Sequence, residues 1–214
     1  MAKKPGKPST YDRIVDASLK LFNEEGERNI STNHIAQHLG ISPGNLYYHF
    51  RNKDEIIIQL FKRYTNTLLD YIRQTELPAD MAKMGEYMNG VYDILWDYRF
   101  LFSDVNTLLM RSKELLGDHN EFTHVKISPL LVQIFTELRQ KGILEASDQA
   151  LRELGLNVWL VTKYWFDFDN SQHDGSWNEG AKRRGIYQTM SLIRGFVAPA
   201  HAENYERLMQ EYRS

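Results

Sequence analysis

Asn45, Tyr48 and His49 lie within one short segment, PGNLYYHF at 43–50, and at helical spacing they share a face. They offer the groups that touch nucleic acid. An asparagine amide pairs with adenine through two hydrogen bonds. Tyrosine hydroxyls and a histidine N–H suit phosphate oxygens, which position a protein on a duplex without reading its sequence. The N-terminal residues of a helix laid in a major groove reach base edges. Here these are Pro43, Gly44 and Asn45, and Gly44 lets the backbone approach closely. The plainer account makes Tyr47 and Tyr48 half-buried core residues, and for Tyr47 the two roles are compatible.

Such groups need a rigid mount, and the flanking sequence predicts one. Ser31 or Thr32 caps a helix whose Ile35, Ala36 and Leu39 turn inward. Gly40 ends it in a left-handed conformation. Ile41 fills the corner, Ser42 caps the next helix, and Pro43 opens it where a missing N–H costs nothing. Leu46 and Phe50, four apart, point to the core. Asn52 caps a further helix, with Glu55 completing a capping box. Upstream, residues 10–25 form an amphipathic helix with Ile14, Ala17, Leu21 and Phe22 on one side, stopped by Gly26. Helix–turn–helix arrangements also occur in proteins that never touch DNA.

The stretch KLFNEEGERNISTNHIAQHLGISPGNLYYHFRNKDEII closely resembles the DNA-binding domain of the TetR family of bacterial transcriptional regulators. The likeness rests on the phenylalanine and glycine that end the first helix and on the Thr32–Ile35–Ala36 set. It rests also on the Gly40–Ile41–Ser42 turn and on the Leu46–Tyr47–Tyr48–His49–Phe50 run with Lys53 after it. It covers about residues 9–60; beyond them the similarity is one of general architecture. The resemblance implies that Thr32 contacts a phosphate and that Pro43, Gly44 and Asn45 face the bases. Tyr47, Tyr48, His49 and Lys53 would hold the DNA backbone. Many relatives carry Thr or Ser where this chain has Asn45, so no relative's operator sequence transfers.

The first residues agree. Lys3, Lys4 and Lys7, with two prolines and a glycine, predict a flexible basic arm over 1–8 that gains affinity by neutralising phosphates. A solubilising tail without a partner is the alternative, and the segment has too few apolar residues for a secretion signal. The net charge of −2 looks wrong for a DNA binder until it is divided. Residues 1–74 hold 11 Lys and Arg against 8 Asp and Glu, a net of +3, whereas residues 75–214 hold 15 against 20, a net of −5. The basic surplus sits with the proposed DNA-reading half. The absence of cysteine excludes disulfides and thiolate chemistry and fits the cytoplasm. No apolar run approaches the roughly 20 residues that span a bilayer.

The remainder reads as helical throughout, over 53–74, 79–97, 99–110, 112–126, 129–141, 148–169, 178–197 and 200–212. The Lys53–Gln74 helix carries Ile57, Leu60, Phe61, Tyr64, Leu68 and Tyr71 on one stripe. Ser128–Pro129 is either a fresh start or a kink, and Gly142 is a stop. The expected fold is all-α: a three-helix helix–turn–helix domain over 9–52, a connecting helix over 53–74, and a larger helical effector-binding and dimerisation domain over 75–214.

Two C-terminal helices suggest a subunit seam. Residues 148–169, which include Trp159, are apolar around much of their circumference. Ala181, Gly185 and Thr189 recur every four residues, followed by Leu192 and Phe196. A four-helix interface between two subunits uses such surfaces, and the resemblance implies the same; ordinary packing within one subunit is the alternative. The resemblance also implies a small-molecule effector. Pockets between helices are mostly apolar, which makes Tyr92, Trp96, Phe102, Met110, Phe122, Val125, Trp159 and Lys163 the candidate lining, although aromatics at helical spacing also build cores. Arg111, His124 and Asn157 are further candidates for a polar group of the ligand.

Other chemistry is weakly supported. His34 and His38 stand four apart but lack a third metal ligand nearby. Asp167 and Asp169 read as a helix end near solvent rather than a catalytic pair, and Lys182–Arg183–Arg184 as a solvated face. No G-x-S-x-G, phosphate loop or dinucleotide fingerprint is present. The expectation is a sequence-specific DNA-binding transcriptional regulator, a homodimeric repressor released from a palindromic operator by a small apolar or aromatic ligand, not an enzyme, and without cofactor or membrane partner. The alternative is a helical ligand-binding or scaffold protein whose helix–turn–helix serves protein interaction.

Overall fold

The structure, a computed structural model, describes residues 8–103, 105–173, 178 and 180–213. It is helical, with one isolated antiparallel bridge, Leu144 to Val197, as the only β-pairing among the described residues. The chain divides into two compact units, Met1–Tyr64 and Thr65–Ser214, and the division falls inside one helix.

The first unit holds α1 (Thr10–Glu25), α2 (Thr32–Leu39), α3 (Pro43–His49) and the start of α4 (Lys53–Gln74). Each boundary has a local cause. Ser9, Ser31 and Ser42 cap α1, α2 and α3 by accepting backbone N–H groups of Asp12, His34 and Asn45. Gly40 ends α2 at φ 65°, a left-handed conformation costly for any residue with a side chain. Asn52 Oδ1 accepts the Glu55 N–H at 3.0 Å, while the Glu55 carboxylate takes the Arg51 N–H at 2.8 Å instead of closing the expected box on Asn52. Ile14, Val15, Phe22, Ile35, Leu46, Phe50, Ile57 and Leu60 form the core. Arg63 ties α4 to α1 through Asp12 and Asp16.

The second unit adds α5 (Met81–Asp97), α6 (Val105–Arg111), α7 (Lys113–Glu121), α8 (Ser128–Gln140), α9 (Asp148–Gln172), α10 (Gly180–Ser191) and α11 (Ala202–Tyr212). The Ser128–Pro129 alternatives resolve into neither a fresh start nor a simple kink. A π-helical turn over Phe122–Ile127 joins α7 to α8, and both the N–H and the hydroxyl of Ser128 donate to the Thr123 carbonyl. Pro129 has no N–H for the carbonyl four residues back and its ring crowds that oxygen; a widened turn relieves both. α9 packs on α8 and α10, and α10 packs on α5 and α11. Tyr92, Phe100, Phe166 and Tyr205 are the largest fully buried side chains here.

Candidate DNA interface and effector cavity

α3 is held by little and shows much. Leu46 is its only buried residue, and burying it contributes about 1.5–3 kcal/mol. Pro43, Gly44 and Asn45 are all exposed, and Tyr48 is 85% exposed. The ring of Tyr48 stands edge-on to His49, which meets Tyr11 in turn; Tyr11 stacks on Phe50 at 4.7 Å. Burial raises the Tyr11 phenol above its ordinary value, with Asp12 adding to the effect and Arg63 opposing it. The hydroxyls of Tyr47 and Thr32 lie 3.1 Å apart, which brings the start of α2 to the exposed face of α3. Thr32, Pro43, Gly44, Asn45, Tyr47, Tyr48 and His49 therefore form one surface. Lys3 and Lys4 lie outside the described residues.

Lys53 does not join that surface as expected. Its Nζ lies 2.8 Å from Glu27 Oε1 and donates to the carbonyls of Glu27 and Ile30, both at 2.9 Å. Three donors meet three acceptors, and the side chain is 23% exposed. The lysine is consumed in closing the loop after α1, where the nearly buried Glu27 requires a cation. Glu27 is absent from the expected site, since nothing in its spacing announces a partner 26 residues away. His34 is also committed: its Nδ1 accepts the Ser31 N–H in a reciprocal cap.

The second unit contains a cavity of about 90 Å³ whose walls come from α4, α5, α8, α9 and α10. Leu68, Met84, Val91, Leu131, Phe135 and Trp159 are among its lining residues. The predicted lining is mostly elsewhere. Tyr92, Phe102 and Phe122 are core residues, and Phe122 packs edge-on against Trp159. Trp96 carries Arg99 over its ring at 4.7 Å. Met110 is 88% exposed, and Val125 also faces solvent, along with Arg111, His124 and Asn157. Lys163 lies 4.9 Å over the Tyr164 ring. Burial, and next the charge of Lys163, bring the pKa of His119 down to about 4, so this imidazole is neutral near pH 7. Of the eight candidates only Trp159 lines the cavity, joined by methionines and leucines that the aromatic pattern did not single out.

Residues 14–60 match the family described as bacterial regulatory proteins, tetR family, and residues 61–205 match the family described as TetR bacterial transcriptional repressor. The chain belongs to the TetR family. A TetR-family regulator from Marinobacter aquaeolei VT8 is 39% identical, with a TM-score of 0.85 over 97% of this chain and 100% of that one. An HTH-type transcriptional regulator of Staphylococcus aureus (strain bovine RF122 / ET3-1) is 44% identical over 97 residues, 45% of this chain and 50% of that protein. The chain thus spans about half the length of the curated relatives it matches. A putative transcriptional regulator from Saccharomonospora viridis, solved in complex with choline, shares the fold at TM-score 0.67 and 17% identity, over 87% of this chain and 97% of that one. Among the described residues no helix is long and apolar enough to cross a membrane.

In this TetR-family chain three residues of the expected subunit seam are buried within the chain itself. Ala181, Gly185 and Thr189 are buried against α5 and α9 of the same chain. The Tyr92 hydroxyl donates to the Gly185 carbonyl at 2.9 Å and lies 2.6 Å from the Thr189 hydroxyl, while Trp165 Nε1 donates to the Ala181 carbonyl at 2.8 Å. Trp159 is buried too, and Leu192 and Phe196 are half-buried. The small stripe on α10 makes room for two aromatic rings of its own subunit. Of the three basic residues after Ala181, Arg183 is exposed and the other two are half-buried, and all three are paired. Lys182 pairs with Asp93, Arg183 bonds the Glu211 carbonyl, and Arg184 grips the buried Asp169 through two contacts of 2.7 Å. That bidentate bond is the main cause of the raised Arg184 pKa. α9 exposes three apolar residues, Leu156, Leu160 and Phe168.

Proposed function

We propose that this TetR-family regulator represses transcription in the cytoplasm as a homodimer. Its paired α3 helices would enter successive major grooves of a palindromic operator, about 34–36 Å apart. The observation that carries this reading is the exposure of Gly44, Asn45 and Tyr48 on a helix whose one buried residue is Leu46. Pro43, Gly44 and Asn45 read base edges; Thr32, Tyr47, Tyr48 and His49 hold phosphates, and Lys3 and Lys4 add counterion release. Lys53 supports the surface from behind. Tyr48→Ala tests the assignment. Losing a hydrogen bond to a charged phosphate weakens operator binding about tenfold or more, while an exposed change leaves stability within about 0.5 kcal/mol. Fluorescence anisotropy on a fragment selected from the source genome reads the first, and thermal melting the second. Unchanged affinity would remove Tyr48 from the interface.

The dimer is assigned to the outer face of α9, because Leu156, Leu160 and Phe168 follow one another at near-helical spacing and are exposed in the single chain. Leu160→Glu is expected to yield folded monomers in sedimentation; a dimer that persists unchanged places the interface elsewhere.

The effector occupies the cavity. Leu68 and Ile72 of α4 form part of its wall, and α4 begins four residues after α3 ends. A ligand with unequal affinity for two positions of that wall shifts the population between DNA-competent and DNA-released dimers, by no more than that difference in affinity. The S. viridis regulator bound to choline supports a small-molecule site in this fold.

A further inference from the structure

The cavity has a distinctive chemistry. Among the described residues no carboxylate, lysine, arginine or histidine lines it, and the lining side chains with polar atoms, besides Trp159, are Tyr87, Thr162 and Thr189. Thr189 is engaged with the Tyr92 hydroxyl, and Thr162 faces the same phenol. Tyr87 differs. It sits on α5 in the stripe Met84–Tyr87–Met88–Val91, all four of which line the cavity. It is only 8% exposed, and its buried hydroxyl has no hydrogen-bond partner. The hydroxyl of the neighbouring Tyr71 donates to the Tyr87 backbone carbonyl at 3.1 Å, and no hydrogen bond joins the two phenols. A buried hydroxyl without a partner is costly, and native proteins rarely keep one unless something meets it.

We infer that the effector is an uncharged, mainly aliphatic molecule carrying one hydrogen-bond acceptor, which the Tyr87 hydroxyl meets inside the cavity. This rests on the assignment of the cavity as the effector site. An ionised ligand would enter a wall with no counter-charge, which costs far more than burying a carbonyl. The present volume of about 90 Å³ admits a small body, and Met84, Met88 and Met190 in the wall let it widen, since unbranched thioether chains repack readily.

The test uses the full-length protein, four probes and two readouts. The probes are 2-hexanone, n-hexane, hexanoate and choline. Binding is followed by Trp159-dependent emission and calorimetry, and DNA release by anisotropy on the genome-selected fragment. 2-Hexanone is expected to bind more tightly than the other three. In Tyr87→Phe its affinity falls about fivefold, the worth of one hydrogen bond, while n-hexane binds as before and the melting temperature does not drop. Hexanoate or choline binding as tightly as the ketone overturns the inference. So does a Tyr87→Phe protein that keeps the ketone preference, or the binding of none of the probes. Ketone binding that leaves DNA affinity unchanged overturns the effector reading and leaves the ligand class standing; DNA release by hexanoate alone does the reverse.

Discussion

Lys53→Met is expected to unfold the N-terminal unit before it alters any contact with DNA. The substitution strips the cation from three acceptors and removes the 2.8 Å ion pair of the buried Glu27. Removing one partner of a buried pair costs about 3–5 kcal/mol; partial exposure of the lysine places this case near the lower end. A unit of this size has only a few kcal/mol to lose, so much of the population loses its fold near physiological temperature. The four tryptophans, at 96, 159, 165 and 177, all follow Tyr64. Tryptophan emission therefore reports the C-terminal unit, whereas far-UV ellipticity reports both. Urea unfolding of Lys53→Met should show an early ellipticity loss without a matching emission change. The double change Lys53→Met with Glu27→Leu should recover most of the stability, because an apolar pair of similar bulk replaces an ion pair at little cost. A phosphate-binding role predicts the opposite pattern: weaker DNA binding with unaltered unfolding.

Gly185→Ala is expected to destabilise the C-terminal unit by about 3 kcal/mol or more, from overpacking together with displaced hydrogen bonds. An added Cβ would overlap the Tyr92 ring and approach Trp165 Cδ1 to 2.6 Å. Both rings are fixed by bonds to α10 itself, so neither yields without losing a partner. Gly185→Glu should not fold this unit at all. Thermal melting followed by tryptophan emission measures the first, and sedimentation with emission spectra the second. Folded Gly185→Glu monomers would show that the glycine faces a second subunit after all. The contrast with Leu160→Glu is therefore informative: one glutamate disrupts the fold, the other only the assembly.

The exposed surface of α3 was legible because its determinants are local. Serine caps, the left-handed Gly40 and the four-residue step from Leu46 to Phe50 act within one or two turns, and together they fix the bounds of α3 and the face it buries. The same holds for the ends of α4 and α5 and for Gly142. The C-terminal differences between sequence pattern and structure have a common origin. A stripe of small residues announces close approach and is silent about what approaches. The Ala181–Gly185–Thr189 stripe receives Tyr92 and Trp165 from its own chain, where a second subunit was expected. Aromatic residues fill space and pair with one another, so Tyr92, Phe102 and Phe122 were drawn into the core. The void was left where Met84, Met88, Leu131 and Val158 converge.

Composition, caps and helical period by themselves determined an all-α chain whose first unit presents Asn45 and Tyr48 outward, since each depends on neighbours within about four residues. Only the tertiary structure decided that Lys53 neutralises Glu27, that α10 packs inward, and that Tyr87 keeps a free hydroxyl beside a cavity. These depend on residues brought together from 16 or more positions apart, and helical periodicity specifies which face is alike, not which neighbour it meets.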